Sequence, residues 1–176
     1  MLLTSNGTIA LLCFGSALLH ECGHLLLLWL CVADVREVSF GAGGIVIVRG
    51  GYAFCGTAKE CCIALGGIFV NCLLCLGALL WYDIEKTQTA PVLAAVNGVL
   101  ALLNLLPVQS LDAHRVLSLL LAHAGVRNPA TLLQRVSLCA VLAGVFGCAA
   151  LTLCGVRNPS LWAVCGYLVY LHWKRS

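Results

Sequence analysis

The chain has 176 residues, of which 61% are hydrophobic and only 10% are charged. Soluble domains carry about 25% charged residues, so this composition excludes an ordinary soluble protein and predicts an integral membrane protein, with residues 1–176 forming a single domain. The formal net charge of +3 is small, and no basic stripe with interleaved aromatic residues occurs, which excludes nucleic acid as a partner.

The first apolar run covers about residues 7–33, and only Ser16 and a polar cluster at residues 20–24 interrupt it between Ile9 and Val32. About 20 apolar residues cross a membrane, so the run is long enough to span. It lacks the basic flank and the small-residue cleavage site of a signal peptide, and we therefore predict a retained span. An ionised side chain costs roughly 2 kcal/mol or more inside the hydrocarbon core, so a polar cluster there indicates function more than packing.

Two short segments rich in β-branched residues follow, at 35–40 and 44–49, on either side of a glycine-rich turn, and this pattern predicts a β-hairpin. Further apolar segments are found at about 61–82, 89–106, 130–154 and 161–173. The sequence thus predicts an all-α polytopic membrane protein with about five transmembrane helices and a small membrane-associated β-hairpin after the first. The number becomes six if residues 111–124 also cross.

The polar cluster in the first span reads H-E-C-G-H. Positions four apart on a helix lie on one face, so His20 and His24 are able to hold one zinc ion between them, with Glu21 beside it to deprotonate bound water. Cys22 is expected to point away from that face. The alternative is a hydrogen-bonded cluster of His20, Glu21 and His24 that binds no metal.

A catalytic zinc ion needs a third protein ligand and an open position for water. Asp112 is the natural third ligand, because it lies near the end of an apolar span that is broken at Pro107. Irregular backbone at membrane depth is tolerated where it lines a cavity, which a site that uses water requires. His114 and His123 are competing candidates, each more typical of a membrane interface.

The H-E-x-G-H motif at residues 20–24, together with N-x-x-P-x-x-x-L-D-x-x-R at residues 104–115, resembles the site-2 protease family of intramembrane zinc metalloproteases. Within the family, the chain resembles the small bacterial branch that includes the stage IV sporulation protein FB type. The likeness extends from about residue 11 to residue 121. It implies that His20, His24 and Asp112 bind one Zn²⁺ ion and that Glu21 is the general base.

A third family element is a glycine-rich kink followed by asparagine, which residues 66–71 resemble with G-G-I-F-V-N. By this resemblance Asn71 would contact the substrate backbone or the tetrahedral intermediate, and Gly67 would belong to the same substrate-binding element. Asn104 is expected either to support the site or to cap the broken helix. Two positions depart from the family pattern: Ala113 stands where glycine usually follows the aspartate, and Ser110 stands where proline or glycine is common. These departures bear on the geometry of the turn that presents Asp112 more than on its role as a ligand.

The implied activity is zinc-dependent cleavage of a membrane-spanning or membrane-tethered protein near the cytoplasmic face of a bacterial cell membrane. Basic residues around the hairpin and at the C-terminus favour this orientation. The expected partners are the protein substrate and the lipid bilayer, with a regulatory membrane partner or a homo-oligomer left open. The branch also implies a role in sporulation. The alternative is a catalytically inactive homologue or a zinc-binding membrane protein that acts as a binding module, although zinc binding alone does not require Glu21.

Overall fold

The computed structural model describes residues 2–31, 35–41, 44–49, 56–155 and 158–174. Their secondary structure comprises, in chain order, α1 (Leu2–Cys31), β1 (Val35–Gly41), β2 (Gly44–Arg49), α2 (Thr57–Glu85), α3 (Thr89–Asn104), α4 (Asp112–His123), α5 (Pro129–Leu153) and α6 (Pro159–Lys174). The chain divides into two compact units, Met1–Leu105 and Leu106–Ser176.

Three of the described helices are long and apolar enough to cross a membrane: Gly7–Cys31 within α1, α2, and α5. Many of their large apolar side chains face outward; Leu11 is 70% exposed and Trp29 is 72% exposed. Such surfaces are unfavourable in water but match the hydrocarbon of a bilayer. The chain is therefore an integral membrane protein, as its composition predicts.

The fold prediction from sequence was wrong in the number of membrane spans and in the membrane-associated hairpin. Its all-α class agrees with the structure. It expected five or six spans, whereas three helices meet the length and composition for crossing among the described residues. The third apolar segment forms α3, whose 16 residues rise only about 24 Å, against roughly 30 Å of hydrocarbon. The expectation of a membrane-associated hairpin is not retained. The described backbone there is a local antiparallel pairing of β1 with β2, and nothing in it assigns the segment to a membrane.

The first unit is built from α1, α2 and α3, which pack against one another mainly through small residues. Alanine and glycine allow helix backbones to approach closely, which is the usual basis of helix association in membranes. The buried apolar side chains of this unit are Leu28, Ile63, Ala64, Ile68, Ala78, Ala90, Ala94 and Ala101. The helices α1 and α2 touch at two glycines: a Cβ atom on Gly23 would lie 2.5 Å from the Gly66 carbonyl oxygen, and one on Gly66 would lie 2.6 Å from the Gly23 carbonyl oxygen.

The second unit contains α4, α5 and α6. Its buried cluster consists of Val108, Val141, Leu168 and Leu171. Polar contacts join the two longer helices: the Ser137 hydroxyl lies 3.0 Å from Nδ1 of His172, and the indole nitrogen of Trp162 donates to the Thr152 hydroxyl at 3.2 Å. The 12 residues of α4 rise about 18 Å, which is well short of the hydrocarbon thickness.

Candidate metal centre

Two imidazoles on α1 form the centre of the site. His20 and His24 are one turn apart, and their Nε2 atoms are separated by 3.3 Å. Two nitrogen ligands of a tetrahedral zinc ion, each at about 2.0–2.1 Å from it, lie roughly 3.3 Å apart. The two rings therefore have the spacing that a shared zinc ion requires, and His20 is only 7% exposed.

The outer nitrogen of each ring contacts α2. Nδ1 of His24 lies 2.8 Å from the carbonyl oxygen of Ile63. A carbonyl oxygen only accepts, so His24 donates its Nδ1 proton there, which leaves Nε2 of the neutral ring unprotonated. Metal-binding histidines typically donate their second ring N–H in this way, which fixes both the tautomer and the orientation of the ring. Nδ1 of His20 lies 3.0 Å from the carboxamide nitrogen of Asn71.

Gly67 leaves open the space in front of the two imidazoles. A Cβ atom at this position would lie 2.5 Å from Nε2 of His20 and 2.5 Å from Nε2 of His24. Any side chain here would therefore press on both nitrogens. The absence of a side chain at Gly67 is what keeps a ligand position available next to them.

Glu21 follows His20 directly and is half-buried. Successive residues on a helix are separated by about 100° around the axis, so the carboxylate lies beside the face that carries the two imidazoles. Its neighbour Cys22 is exposed. A carboxylate at this position is suited to accept a proton from water near the two ring nitrogens.

Asp112 belongs to the second unit, where it is half-buried and is the first residue of α4. The helix N-terminus favours a carboxylate, because the unpaired N–H groups of the first turn carry partial positive charge. The two departures from the family pattern have different outcomes. Ala113 lies in the first helical turn and has no need of positive φ, whereas Ser110 adopts the left-handed conformation with φ of 77°.

The remaining predicted residues have separate surroundings. Asn104 ends α3 and donates from its carboxamide to the carbonyl oxygen of Leu100 in its own helix, at 3.0 Å. His114 lines a cavity of about 260 Å³ in the second unit with Gln109 and Ser118. His123, the last residue of α4, is exposed. Among the predicted residues of the first unit, the structure thus brings together His20, His24, Gly67 and Asn71.

A buried polar pair that was not predicted from the sequence lies one helical turn away from this group, outside the candidate metal centre. The carboxamide of Asn97 in α3 donates to the hydroxyl of Ser16 at 3.0 Å and to the carbonyl oxygen of Leu93 at 2.9 Å. Ser16 lies one turn before His20 on α1. A polar side chain inside an apolar run was the sequence signal for a buried contact at Ser16. The sequence could not identify the partner, because Asn97 is 81 positions away along the chain.

A solved structure, the site-2 protease from Methanocaldococcus jannaschii, is similar to this chain with a TM-score of 0.67. The alignment covers 95% of this chain and 76% of that one, at 18% sequence identity. The chain therefore shares its fold with a site-2 protease. No protein-family model matches it, and no curated protein matches it by sequence.

Proposed function

We propose that the chain is an intramembrane zinc metalloprotease that cleaves a membrane-spanning or membrane-tethered protein. The observation that carries the proposal is the convergence of the His20 and His24 Nε2 atoms, 3.3 Å apart, on the space left by Gly67. This arrangement lies in a helix that is apolar enough to cross a membrane. The fold shared with a site-2 protease supports the same function.

In the proposed site, His20 and His24 bind one Zn²⁺ ion through Nε2, and Asp112 supplies a carboxylate oxygen as the third ligand. Two imidazoles and one carboxylate form a donor set typical of catalytic zinc, and a fourth position stays open for water. Bound zinc would supply the Lewis acidity that polarises the scissile carbonyl group and activates water.

Glu21 carries the proton in the proposed reaction. Its carboxylate accepts a proton from the attacking water and returns it to the leaving amine, as a general base and then a general acid. A substrate helix has its backbone groups bonded internally, so its peptide bonds become accessible only where the helix unwinds. We therefore expect substrates with a locally unstable helix. The basic residues at positions 36, 49, 59, 174 and 175 support a site directed towards the cytoplasm of a bacterial cell.

The replacement Glu21→Gln tests the proton-transfer role. The glutamine keeps the volume of the side chain but cannot accept the proton, so we expect cleavage to fall by about 10²- to 10⁴-fold while bound zinc is unchanged. The measurement compares purified wild type and variant for zinc content and for cleavage of a single-span membrane protein with an Asn-Pro pair near its cytoplasmic end. Equal cleavage rates would contradict the proposal. A wild-type chain that binds zinc but cleaves no such substrate would instead favour the binding-module alternative.

The replacement Asp112→Ala tests the ligand set. Loss of one of three protein ligands is expected to lower zinc affinity at least about tenfold, together with activity. His114→Ala and His123→Ala serve as matched controls, because these were the competing ligands in the same segment. If Asp112→Ala bound zinc as tightly as wild type, or if either control lost as much zinc affinity, Asp112 would be removed from the proposed set of zinc ligands.

A further inference from the structure

We propose that Asn71 is a positioning residue whose carboxamide reverses its hydrogen-bonding role with the tautomer of His20, donating to the ring without metal and accepting from it when zinc is bound. The inference rests on the proposed function only in so far as His20 and His24 bind zinc. It concerns a residue that is fully buried, with 0% of its surface exposed. A side chain so enclosed is better suited to an internal partner than to substrate.

The distances around the two rings are also those of a chain of hydrogen bonds, which we infer for the metal-free protein. His24 donates from Nδ1 to the Ile63 carbonyl oxygen, so its Nε2 accepts. Nε2 of His20, at 3.3 Å, then donates to it. A neutral imidazole carries one proton, so Nδ1 of His20 is unprotonated and accepts from the Asn71 carboxamide nitrogen at 3.0 Å.

Zinc binding requires the other tautomer of His20. The metal takes the lone pair of Nε2, so the ring proton must move to Nδ1, which becomes a donor. A carboxamide nitrogen opposite that atom would then place two N–H groups against each other. The contact becomes favourable when Asn71 presents its oxygen instead.

The carboxamide of Asn71 meets this demand by rotating 180° about its terminal torsion, because its oxygen and nitrogen have nearly the same size. Its Oδ1 atom is buried and has no hydrogen-bond partner among the described residues. Either orientation therefore leaves one polar atom of the amide without a partner in the part of the chain that the structure describes. The two orientations differ chiefly in what they offer His20, so the metal state of the ring decides between them.

The spacing of α2 explains why the same helix supplies both groups. Gly67 and Asn71 are four residues apart and lie on one face, which packs against α1. Gly67 faces the Nε2 side of the rings, and Asn71 faces Nδ1 of His20. One face of α2 thus leaves room for the metal and holds the ring that binds it.

The first test measures zinc affinity by competition with a chromophoric chelator at pH 8, without substrate. Asn71→Leu removes both donor and acceptor, and we expect zinc affinity to fall about 10- to 100-fold, as for other groups that orient metal ligands. Asn71→Asp offers only acceptor oxygens, and we expect its zinc affinity to match or exceed that of wild type. Asn97→Leu, which removes another buried carboxamide that contacts α1 at Ser16, is the matched control and should retain zinc affinity.

The second test needs no variant. Nitrogen-15 spectra of histidine-labelled wild type in bilayers distinguish the two neutral tautomers. We expect His20 to carry its proton on Nε2 without metal and on Nδ1 with Zn²⁺, while His24 keeps its proton on Nδ1 throughout. A His20 proton on Nδ1 in the metal-free chain would overturn the inference.

Two further results would also overturn it: unchanged zinc affinity in Asn71→Leu, or an equal loss in Asn71→Asp and Asn71→Leu. These readouts are independent of peptide cleavage. A chain that binds zinc and shows the tautomer change but cleaves nothing would refute the proposed function and leave this inference standing. A chain that binds no zinc at His20 and His24 would refute both.

Discussion

At the scale of single residues, Gly67 decides whether a metal has room at the two imidazoles. The nearest atoms to a Cβ at this position are those of the two rings, and no flexible side chain lies between. Both imidazole rings are held by contacts of their Nδ1 atoms with α2, so they cannot easily move away from a side chain at position 67. A substitution at Gly67 would therefore fill the space next to the two Nε2 atoms, while the ligand atoms themselves would stay the same.

We predict that Gly67→Ala lowers zinc affinity by at least about tenfold, because its methyl group would occupy the space next to both Nε2 atoms. The measurement is chelator competition on the purified variant. Gly77→Ala is the matched control: Gly77 lies on the same helix with nothing within 4 Å of its Cβ position. That change should leave zinc affinity intact and add up to about 1 kcal/mol of helix stability. Equal zinc affinity in both variants would show that Gly67 does not border the metal.

At the same scale, the sequence was sufficient for the residue types of the site but not for all of their contacts. The helical period predicts that His20 and His24 share a face, and their nitrogens do lie 3.3 Å apart. The contact of Asn71 with Nδ1 of His20 joins residues 51 positions apart, and it depends on how α2 is rotated against α1. Local pattern contains no information on that rotation.

At the scale of elements, the contact of α1 with α2 at Gly23 and Gly66 sets the distance between the two helices. Each glycine faces a carbonyl oxygen of the other helix, so the approach is backbone against backbone. Gly23 lies directly before His24, and Gly66 lies directly before Gly67. The same pair of glycines therefore sets the spacing of the helices next to the candidate metal centre.

We predict that Gly23→Ala separates the helices locally, because its Cβ would lie 2.5 Å from the carbonyl oxygen of Gly66. Overpacking of this kind typically costs about 1–3 kcal/mol, and here it should also lower zinc affinity by moving His24 away from Ile63. Thermal unfolding in detergent and zinc titration are the two measurements. Gly15→Ala, on α1 with nothing within 4 Å, is the control and should be neutral or stabilising. An unchanged unfolding temperature for Gly23→Ala would contradict the close backbone contact of α1 with α2 at this position.

The sequence was a better guide to the long helices than to the short ones. Apolar runs predict the spans in α1, α2 and α5 because length and hydropathy both exceed what crossing requires. The run that became α3 is equally apolar, and its predicted bounds, residues 89–106, differ from those of the helix, Thr89–Asn104, by only two residues. The error lay in taking a run of this length as a span, because a helix needs about 20 residues to cross the hydrocarbon core.

At the scale of the whole molecule, metal binding should contribute to stability. A ligand that binds the folded chain and not the unfolded chain stabilises it by about 2.7 kcal/mol when its free concentration is 100 times its dissociation constant. We predict that a chelator lowers the unfolding temperature of the wild type and that added Zn²⁺ restores it. The same treatment should leave His24→Ala unchanged, because this variant lacks one of the two imidazoles. A wild type that is insensitive to chelation would contradict zinc as part of the folded protein.

Composition predicted the class of the molecule, since only 10% charged residues leave a membrane as the natural environment. It did not predict the division into two compact units at Leu105, although the broken segment before Asp112 marked the region. Hydropathy describes how each segment interacts with its surroundings. Which segments cluster together depends on contacts between side chains that are distant in sequence.

The short length of α3 has a consequence for the surrounding lipid. Its outward side chains include Val99, at 53% exposure, and Leu102, at 67%, so a bilayer around the protein would contact this helix directly. The helix is about 6 Å shorter than a typical hydrocarbon layer, and a bilayer adapts to such hydrophobic mismatch by thinning locally. Such thinning beside α3 would bring the headgroup region, and the water it holds, closer to α1, the helix that carries both Ser16 and His20. The intramembrane hydrolysis that we propose would depend on such a supply of water.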